Sequence, residues 1–366
     1  MPYKFLISGG GTGGHIFPAI AIADQLKAMH PDAEFLFVGA NGKMEMEKVP
    51  KAGYEIVGLN ITGIQRKLSL ANLMFPFRLI ASLMKARGIL KKFQPDVVIG
   101  VGGFASGPVL RMATWMKLPA LIQEQNSFAG ITNRWVAKDV DRACVAYDNM
   151  ERFFPKQAIV KTGNPVRKAV VTIEGKRTAA LEAFGFSSDK PVLLVVGGSL
   201  GARSINLAIK KDLDALLKAD LQVLWQTGNS FKDDAPIVQQ QYEGQPVVIK
   251  EFIFDMDNAY AAADMVVSRA GAIAVSELCI VGKPTILVPF PFAAEDHQTK
   301  NAEALVKTNA ARMVADKEVQ AQLLQEVLAL NEDAQLRTTL SQNIKQHALP
   351  KAAEDIATEV IKLIRR

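Results

Sequence analysis

The chain has 366 residues, of which 49% are hydrophobic, and its formal net charge is +6. This length and composition predict two α/β domains with cores of their own, and no apolar run is long enough to span a membrane. The two cysteines, Cys144 and Cys279, are too few for a disulfide framework and favour buried thiols in a reducing cytoplasm.

The first half of the chain alternates short apolar runs with helix-like stretches. Strands are predicted at Lys4–Ser8, Glu34–Val38, Glu55–Leu59, Asp96–Val101, Ala120–Gln123, Ala143–Ala146 and Ile159–Lys161. Helices are predicted at Pro18–Met29, Ala71–Lys92, Ser106–Met116 and Ala129–Lys138. Continuous apolar strands joined by helices are typical of a parallel sheet covered on both faces. The turn residues Thr162–Pro165 place the end of this first domain at residue 164.

The second half, residues 165–349, repeats this alternation. Strands are predicted at Val192–Val196, Gln222–Gln226, Val247–Glu251, Met265–Ser268, Thr285–Val288 and Arg312–Val314. Helices are predicted at Ser204–Leu217, Met256–Ala263, Ala274–Val281 and Gln298–Thr308. Residues 350–366 hold a further helix, which we expect to pack back on the first domain.

Two glycine loops each follow an apolar strand and each open a helix. The first loop spans Gly9–Gly14, and the second spans Gly197–Gly201. Glycine lets the backbone approach a ligand closely, and the following helix presents unpaired N–H groups there. In doubly wound sheets, ligands lie beyond the carboxyl ends of the strands. The sequence therefore predicts two Rossmann-like doubly wound parallel-sheet domains that face each other across a cleft, with one substrate in each.

Two other nucleotide-binding classes compete with this interpretation. The first loop formally matches G-x-G-x-x-G, the fingerprint of a dinucleotide-binding dehydrogenase. A dehydrogenase needs an acid at the end of its second strand, whereas this strand ends Val38-Gly39-Ala40-Asn41 and Glu34 lies at its other end. No G-x-x-x-x-G-K-[ST] motif is present, so a P-loop NTPase is also disfavoured.

Two titratable residues are candidates for chemistry. His15 alone of the four histidines lies in a glycine loop, where an imidazole can take a proton from a hydroxyl nucleophile. The structural alternative is a histidine at a helix start that hydrogen-bonds the backbone. Glu277 follows the glycine turn at Gly271 and can bind paired ribose hydroxyls, or it can complement the helix dipole.

A metal site is not predicted. The pair Asp255 and Asp257 formally matches D-x-D. We expect Asp255 or Asp257 instead to cap the helix that starts near Met256 by accepting hydrogen bonds from its backbone N–H groups. No His/Cys cluster has the spacing of a zinc site. We expect neither a metal nor another cofactor.

The positive charge is concentrated in the first half. Residues 1–164 carry a net charge of +8, and residues 165–366 carry −2. No acid lies between Glu55 and Asp96, where seven basic residues are interleaved with bulky apolar ones. This pattern predicts contact with an anionic membrane surface, and the alternative is a solvated helix with a core face. Nucleic acid is disfavoured as a partner, because no recognised binding motif is present.

The ordered set of motifs resembles the MurG family of bacterial peptidoglycan glycosyltransferases. The matching segments are Gly9–Pro18, Gly100–Pro108, Glu124–Asn133, Gly163–Arg167, Gly197–Ala202, Glu251–Met256, Ser268–Glu277 and Ala294–Ala302. The resemblance implies a GT-B fold and a metal-independent, inverting transfer of N-acetylglucosamine (GlcNAc) from UDP-GlcNAc to lipid I, which is undecaprenyl-pyrophosphoryl-MurNAc-pentapeptide. It also implies peripheral attachment at the cytoplasmic face of the cell membrane, beside the cell-wall synthesis machinery.

The same resemblance implies roles for residues of the second half. The backbone of Ile253 would meet uracil, Glu277 would hold the ribose hydroxyls, and Gln298 would bind the sugar. The diphosphate would face Arg167, Ser199 and the helix start formed by Ala272, Ile273, Ala274, Val275 and Ser276.

Residues of the first half would complete the site. Contacts to the donor are implied for Thr12, Gly13, Gly14 and Asn126. His15 is the first candidate for the catalytic base, and Glu124 is the second.

Two residues depart from the family pattern. Leu200 replaces the usual Gln of GGSQG, and Phe104 replaces the Tyr that many members carry after GG. The alternatives are another GT-B glycosyltransferase, a UDP-sugar 2-epimerase, which needs acids flanking C2, or a non-enzymatic binding module. A binding module does not explain a second complete half.

Overall fold

The computed structural model describes residues 2–62, 74–166, 168–198, 200–293 and 296–364. The chain divides into two compact units. The first unit comprises residues 1–167 and 350–366, and the second comprises residues 168–349. The first unit therefore extends three residues beyond the expected boundary at 164.

The first unit is built on a sheet of seven strands that all pair in parallel. The strands are β1 (Lys4–Ser8), β2 (Glu34–Ala40), β3 (Glu55–Leu59), β4 (Val97–Gly100), β5 (Ala120–Glu124), β6 (Arg142–Val145) and β7 (Ile159–Lys161). Their order is β3-β2-β1-β4-β5-β6-β7. The strand order reverses between β1 and β4, where Ser8 pairs with Gly100. The loops that follow these two strands therefore start side by side, where doubly wound sheets bind ligands.

Six α-helices formed by described residues cover this sheet. They are α1 (Gly13–Met29), α2 (Glu45–Lys51), α3 (Phe75–Phe93), α4 (Ser106–Trp115), α5 (Ile131–Val136) and, from the far end of the chain, α15 (Ala352–Lys362). The predicted start of α1 at Pro18 was wrong, because the glycine loop enters the helix directly and Pro18 lies inside it. The predicted start of α3 at Ala71 falls outside the described residues. The sequence reasoning missed α2 altogether.

Alternate residues of the strands pack on opposite faces of the first sheet. Leu6 lies in the core on the side of α3 and α4, whereas Phe5 and Ile7 lie in the core on the side of α1. Helix α15 completes the α1 side through Ile356, Ala357 and Val360, all of which are fully buried. An ion pair between Arg142 and Glu359, 3.4 Å long, adds to this contact.

The second unit contains a parallel sheet of six strands. They are β8 (Val192–Val196), β9 (Gln222–Gln226), β10 (Val247–Lys250), β11 (Met265–Ser268), β12 (Thr285–Leu287) and β13 (Arg312–Met313), in the order β10-β9-β8-β11-β12-β13. The order reverses between β8 and β11, where Val196 pairs with Ser268. The second glycine loop and the loop after β11 therefore begin side by side.

The described part of the second unit forms nine α-helices. They are α6 (Lys168–Val171), α7 (Arg177–Phe184), α8 (Arg203–Lys218), α9 (Ala235–Gln241), α10 (Met256–Ala262), α11 (Ala272–Val281), α12 (His297–Val306), α13 (Val319–Glu332) and α14 (Ala334–Lys345). The sequence reasoning missed α6, α7, α9, α13 and α14. Helix α13 carried a signal, because Val319, Leu323, Val327 and Leu330 repeat at helical spacing and are buried.

Both cysteines are free and buried, as the sequence predicted. Burial raises the pKa of Cys144 to about 12 and that of Cys279 to about 12, so both remain protonated thiols at neutral pH. No helix among the described residues combines the length and apolarity needed to cross a membrane.

Candidate active site

His15 lies in the first turn of α1, directly after the first glycine loop. Its Nδ1 is 3.0 Å from the carbonyl oxygen of Gly10. A carbonyl oxygen only accepts hydrogen bonds, so Nδ1 carries the proton and the lone pair of the neutral ring is on Nε2. The backbone contact of the structural alternative is therefore present, and it also fixes the tautomer that a general base needs.

The loop after β4 packs on this glycine loop without an intervening side chain. Gly103 has a φ of +87°, and a Cβ there would lie 2.2 Å from the carbonyl oxygen of Gly10. A Cβ on the neighbouring Gly102 would lie 2.9 Å from Cδ2 of His15. The imidazole therefore rests against the Gly102 backbone, and a side chain at Gly103 would force the two loops apart.

Glu124 ends β5 and is only 2% exposed. Its Oε1 accepts from the backbone and side-chain amides of Asn126, and its Oε2 accepts from the Gly130 N–H and the Asn133 side chain. Burial raises the pKa of Glu124, and these four hydrogen bonds oppose that rise. The carboxylate thus ties the loop after β5 to α5 and positions Asn126. Its role as base stays a prediction, and this geometry suits a positioning residue better.

A buried amide network joins the ends of several strands in the first unit. Nε2 of Gln123 donates to Oδ1 of Asn164 at 3.0 Å, and Nδ2 of Asn164 donates to the Gln125 carbonyl at 3.1 Å. Nε2 of Gln125 donates to the Val101 carbonyl at 2.7 Å. The sequence reasoning missed these residues as a structural set, although a run of polar residues at a strand end was a usable signal.

The predicted residues of the first unit gather at one edge of the sheet. Thr12 is the N-cap of α1, and its carbonyl accepts from the backbone N–H groups of His15 and Ile16. Gly13 and Gly14 form the start of the helix, and Thr12 and Gly14 are exposed. The edge therefore presents an imidazole and backbone N–H groups together.

The second glycine loop packs in the same manner as the first. Gly201 has a φ of +84°, and a Cβ there would lie 2.2 Å from the Thr227 carbonyl oxygen. Leu200, at the position of the family's glutamine, is 67% exposed. Arg167 and Ser199 lie outside the described residues, so their roles stay predictions.

Gln226, at the end of β9, connects this loop to Ile253. Its Nε2 donates to the Gly198 carbonyl at 3.3 Å, and its Oε1 accepts from the Ile253 N–H at 2.9 Å. The Ile253 side chain is buried. The carbonyl oxygen is therefore the backbone group that Ile253 can offer to a nucleobase. Gln226 was not identified from the sequence.

Helix α11 begins beside the second glycine loop, with Gly271 as its N-cap. Glu277 is its sixth residue and is 5% exposed, so it is not an acid of the first turn that merely complements the dipole. Its Oε2 accepts from the hydroxyl of Tyr260 on α10 at 3.1 Å. A buried carboxylate held by a buried hydroxyl suits the recognition of a polar ligand.

Gln298 lies at the start of α12. Its Oε1 accepts from the Phe290 N–H at 3.0 Å, so its amide NH₂ is the group directed to other acceptors. Asn301, one turn further, donates to the Ala270 carbonyl at 3.2 Å and ties α12 to the loop before α11.

Arg269 follows β11 and was not predicted as a site residue. Its guanidinium donates to the Val288 carbonyl at 3.2 Å, to Asp316 at 2.5 Å and to the Ser204 hydroxyl at 3.1 Å. The side chain is 12% exposed. Arg269 therefore fixes the loop after β11 against the end of β12 and the start of α8.

The Asp255-Met256-Asp257 segment does not form a cluster of ligands. Asp255 is the N-cap of α10, but its side chain makes no capping bond. Burial disfavours charge on Asp257, but hydrogen bonds from Lys176 and the backbone outweigh it and hold its pKa below the usual range. Over the described ranges, no group of three or more His, Cys, Asp or Glu side chains is arranged to hold a metal.

Two family models match most of the chain. The N-terminal domain model of glycosyltransferase family 28 matches residues 5–145, and its C-terminal domain model matches residues 192–356.

Curated relatives match nearly the full chain. The proteins from Flavobacterium psychrophilum, Parabacteroides distasonis and Cytophaga hutchinsonii are 51%, 52% and 53% identical to it. Each match covers 99% of this chain and 98%, 98% and 97% of the relative, respectively. All three are named UDP-N-acetylglucosamine–N-acetylmuramyl-(pentapeptide) pyrophosphoryl-undecaprenol N-acetylglucosamine transferase.

Solved structures show the same fold. MurG from Acinetobacter baumannii is 30% identical, with a TM-score of 0.77 over 99% of this chain and 100% of that one. A UDP-N-acetylglucosamine 2-epimerase is 14% identical, with a TM-score of 0.66 over 99% of this chain and 96% of that one, which shows a shared fold alone. The fold is GT-B, as the sequence predicted.

Proposed function

This chain belongs to the MurG family of glycosyltransferases, and we propose from that membership that it transfers GlcNAc from UDP-GlcNAc to lipid I, forming lipid II for peptidoglycan synthesis. The observation that carries the proposal is identity of about half of all residues, over 99% of the chain, with transferases named for this reaction.

The reaction is a single displacement with inversion. The oxygen of the MurNAc 4-hydroxyl attacks C1 of GlcNAc from the face opposite UDP, and a new C1–O bond forms. The bond between C1 and the UDP oxygen breaks, UDP leaves with its electron pair, and the hydroxyl proton passes to a base. The α-linked donor therefore yields a β-linked product.

The second unit supplies the groups for the donor. Glu277, held by Tyr260, accepts from the ribose hydroxyls, and the Ile253 carbonyl accepts from the uracil N3–H. The N–H groups that open α11 face the diphosphate, and the family resemblance assigns Arg167 and Ser199 to the same group. Helix N-termini and an arginine can carry diphosphate charge without a metal. The NH₂ of Gln298 donates to a sugar hydroxyl.

The first unit supplies the base and further contacts to the donor. His15 is the base, because its Nδ1 donates to Gly10 and the lone pair of the neutral ring is on Nε2. Thr12, Gly13, Gly14 and Asn126 complete the donor site, as the family resemblance implies.

Attachment to the anionic, cytoplasmic face of the membrane is proposed through α3. Phe77, Ile80 and Met84 follow one another at helical spacing and are 66%, 56% and 70% exposed. The exposed Arg87 and Lys91 continue the same stripe. An apolar stripe that ends in basic residues fits insertion at an anionic lipid surface. Residues 63–73 of the acid-free segment lie outside the described residues. Contact with the cell-wall synthesis machinery stays a prediction.

The transfer itself is tested by UDP release. We expect UDP to be released from UDP-GlcNAc only when a lipid I analogue is present, with a β-linked disaccharide as product. EDTA should leave turnover unchanged, because helix N-termini can neutralise the diphosphate. Release without an acceptor, or loss in EDTA with recovery in Mg²⁺ or Mn²⁺, would contradict this mechanism.

Donor recognition is expected to depend on Glu277 and its partner Tyr260. Glu277→Ala should raise the donor KM well over tenfold, since a charged hydrogen bond in a desolvated site contributes about 2–5 kcal/mol. Tyr260→Phe should raise it about three- to tenfold, because the hydroxyl that holds the Glu277 carboxylate is lost while the carboxylate remains. Tyr242→Phe, which loses a hydroxyl bonded to Asp214 in the same unit, is the matched control. If Tyr260 acts through the ribose hydroxyls, Tyr260→Phe should raise the KM of a 2′-deoxyribose donor by a smaller factor than the KM of UDP-GlcNAc. An equal rise in KM for both donors would contradict this role.

Proton removal is expected to depend on His15. His15→Ala should lower kcat about 10²- to 10⁴-fold with little change in donor KM, and the acidic limb of the pH–rate profile should disappear. His30→Ala, at the other end of α1, is the matched control. An acidic limb that survives in His15→Ala but vanishes in Glu124→Gln would transfer the role to Glu124.

Membrane binding is expected to respond to charge and to apolar area on α3. Charge reversal at Arg87 and Lys91 should weaken binding to anionic vesicles about thirtyfold per residue, because about 1 kcal/mol of attraction is replaced by a repulsion of similar size. Added salt should also weaken this binding. Phe77→Ser should weaken binding to neutral and anionic vesicles alike. Lys317→Glu, an exposed charge of the second unit, is the control. If neither the charge reversals nor Phe77→Ser changes vesicle binding, α3 is not the membrane-binding surface.

A further inference from the structure

Glu45 is a buried carboxylate that the proposed mechanism does not use. It is the first residue of α2 and is 1% exposed. Its Oε2 accepts from the Gly11 N–H at 2.9 Å, and its Oε1 accepts from the Ala40 N–H at 3.0 Å. The carboxylate therefore joins the first glycine loop to the end of β2.

The surrounding backbone leaves space for this carboxylate and nothing larger. A Cβ on Gly10 would lie 2.1 Å from Oε1 of Glu45, and a Cβ on Gly39 would lie 2.5 Å from its Cγ. Burial of a carboxylate is costly unless hydrogen bonds compensate it. Two glycines and two backbone donors thus form a complete site for one acidic side chain.

Glu45 accepts a hydrogen bond from the kind of loop N–H group that binds a ligand in dinucleotide-binding domains. In dinucleotide-binding domains, the N–H groups of such a loop bind a diphosphate, and an acid beyond the second strand binds a ribose. Here the acid beyond the second strand is Glu45, and its carboxylate accepts the hydrogen bond of the Gly11 N–H. The loop is therefore held by an anion that the chain supplies.

Gly10 connects this carboxylate to the candidate base. On one side its Cα lies against Glu45, and on the other its carbonyl oxygen is 3.0 Å from Nδ1 of His15. A shift of the loop at Gly10 and Gly11 would therefore change both the orientation and the tautomer of the imidazole.

We propose that Glu45 is a positioning residue for the transfer reaction, which holds the first glycine loop so that Gly10 keeps His15 oriented with its lone pair on Nε2. The inference rests on the proposed role of His15. Glu45 itself does not touch the reacting atoms.

The other charges on the elements packed around α1 have partners or face solvent. Glu47 pairs with Lys48 and Lys51 on α2, and Glu359 pairs with Arg142 and Lys362. Lys4 is paired with Glu34, and Asp24 is bonded to Tyr54. Lys27 is exposed and lies over the Tyr54 ring, and Glu354 and Asp355 are exposed. Glu45 is the carboxylate bound to the loop that contacts His15.

The test compares Glu45→Gln with Glu47→Gln, which removes an exposed acid two residues away on the same helix. Glutamine keeps the shape of Glu45 but turns an NH₂ toward one of the two N–H donors, so either Gly11 or Ala40 loses its acceptor. We expect Glu45→Gln to lower kcat about tenfold to a hundredfold and to raise donor KM less, because the moving loop carries His15 together with Thr12, Gly13 and Gly14, whereas the donor groups of the second unit stay in place. Glu47→Gln should behave as wild type.

A second measurement reports on His15 directly. The imidazole of His15, one of four in the chain, can be titrated by NMR. Loss of the nearby negative charge makes the imidazolium less stable, so the midpoint should move to lower pH in Glu45→Gln and stay in place in Glu47→Gln. The acidic limb of the pH–rate profile should move in the same direction.

The outcomes separate this inference from the base assignment. The inference is overturned if His15→Ala lowers kcat while Glu45→Gln keeps the wild-type kcat and the wild-type titration midpoint of His15. A His15→Ala variant with wild-type turnover overturns the base assignment, and with it the catalytic consequence of Glu45.

The wild-type protein gives an answer even where Glu45→Gln does not fold. The amide protons of Gly11 and Ala40 are donated to the same buried carboxylate, so both should be protected from hydrogen exchange. Exchange of either amide at the rate of an exposed loop would overturn the proposed link between the loop and the end of β2.

Discussion

The contact on which both units depend is made by backbone alone. At the switch point of the first sheet, Gly103 lies against Gly10, and in the second unit Gly228 lies against Gly201, where a Cβ would be 2.1 Å from a backbone nitrogen. Neighbouring parallel strands are about 4.8 Å apart, so loops that leave them can meet directly only when no side chain intervenes. Because the loops meet directly, the N–H groups at the helix starts remain at the edge of each sheet. The chemistry of each unit is arranged around these contacts.

Buried polar side chains then hold the irregular backbone that the glycines make possible. Gln226 and Arg269 each bind segments that are distant in sequence, and Glu124 ties the loop after its own strand to α5. Each is largely removed from water, so each stabilises its loop only while its hydrogen bonds are complete. The candidate site thus consists of a few groups for ligands, supported by a larger set that holds them in place.

The regular parts of this architecture could be predicted from the sequence, since strands such as β1, β3 and β8 are continuous apolar runs between turn residues. The glycine loops and His15 could be placed at the strand ends for the same reason. The supports could not, because Tyr260 and Gln226 become neighbours of the site only through tertiary contacts between distant segments. Glu45 is the clearest residue that could not be predicted. The sequence pattern calls for an acid at the end of β2, but Glu45 lies five residues beyond Ala40 and accepts a hydrogen bond from the Ala40 N–H. Helix α13 was missed for a different reason, since its periodic signal was present and not used.

The route of the chain has a consequence for its synthesis. Helix α15 covers the α1 side of the first sheet, yet the whole second unit is encoded between this helix and the rest of the first unit. Domains fold as they leave the ribosome, the amino-terminal part first. Here Phe5, Ile7 and their neighbours have no cover from Ile356 and Val360 until the second unit has been made. The first unit to emerge is therefore the last to be completed, and the nascent chain carries an exposed apolar face throughout the synthesis of residues 168–349.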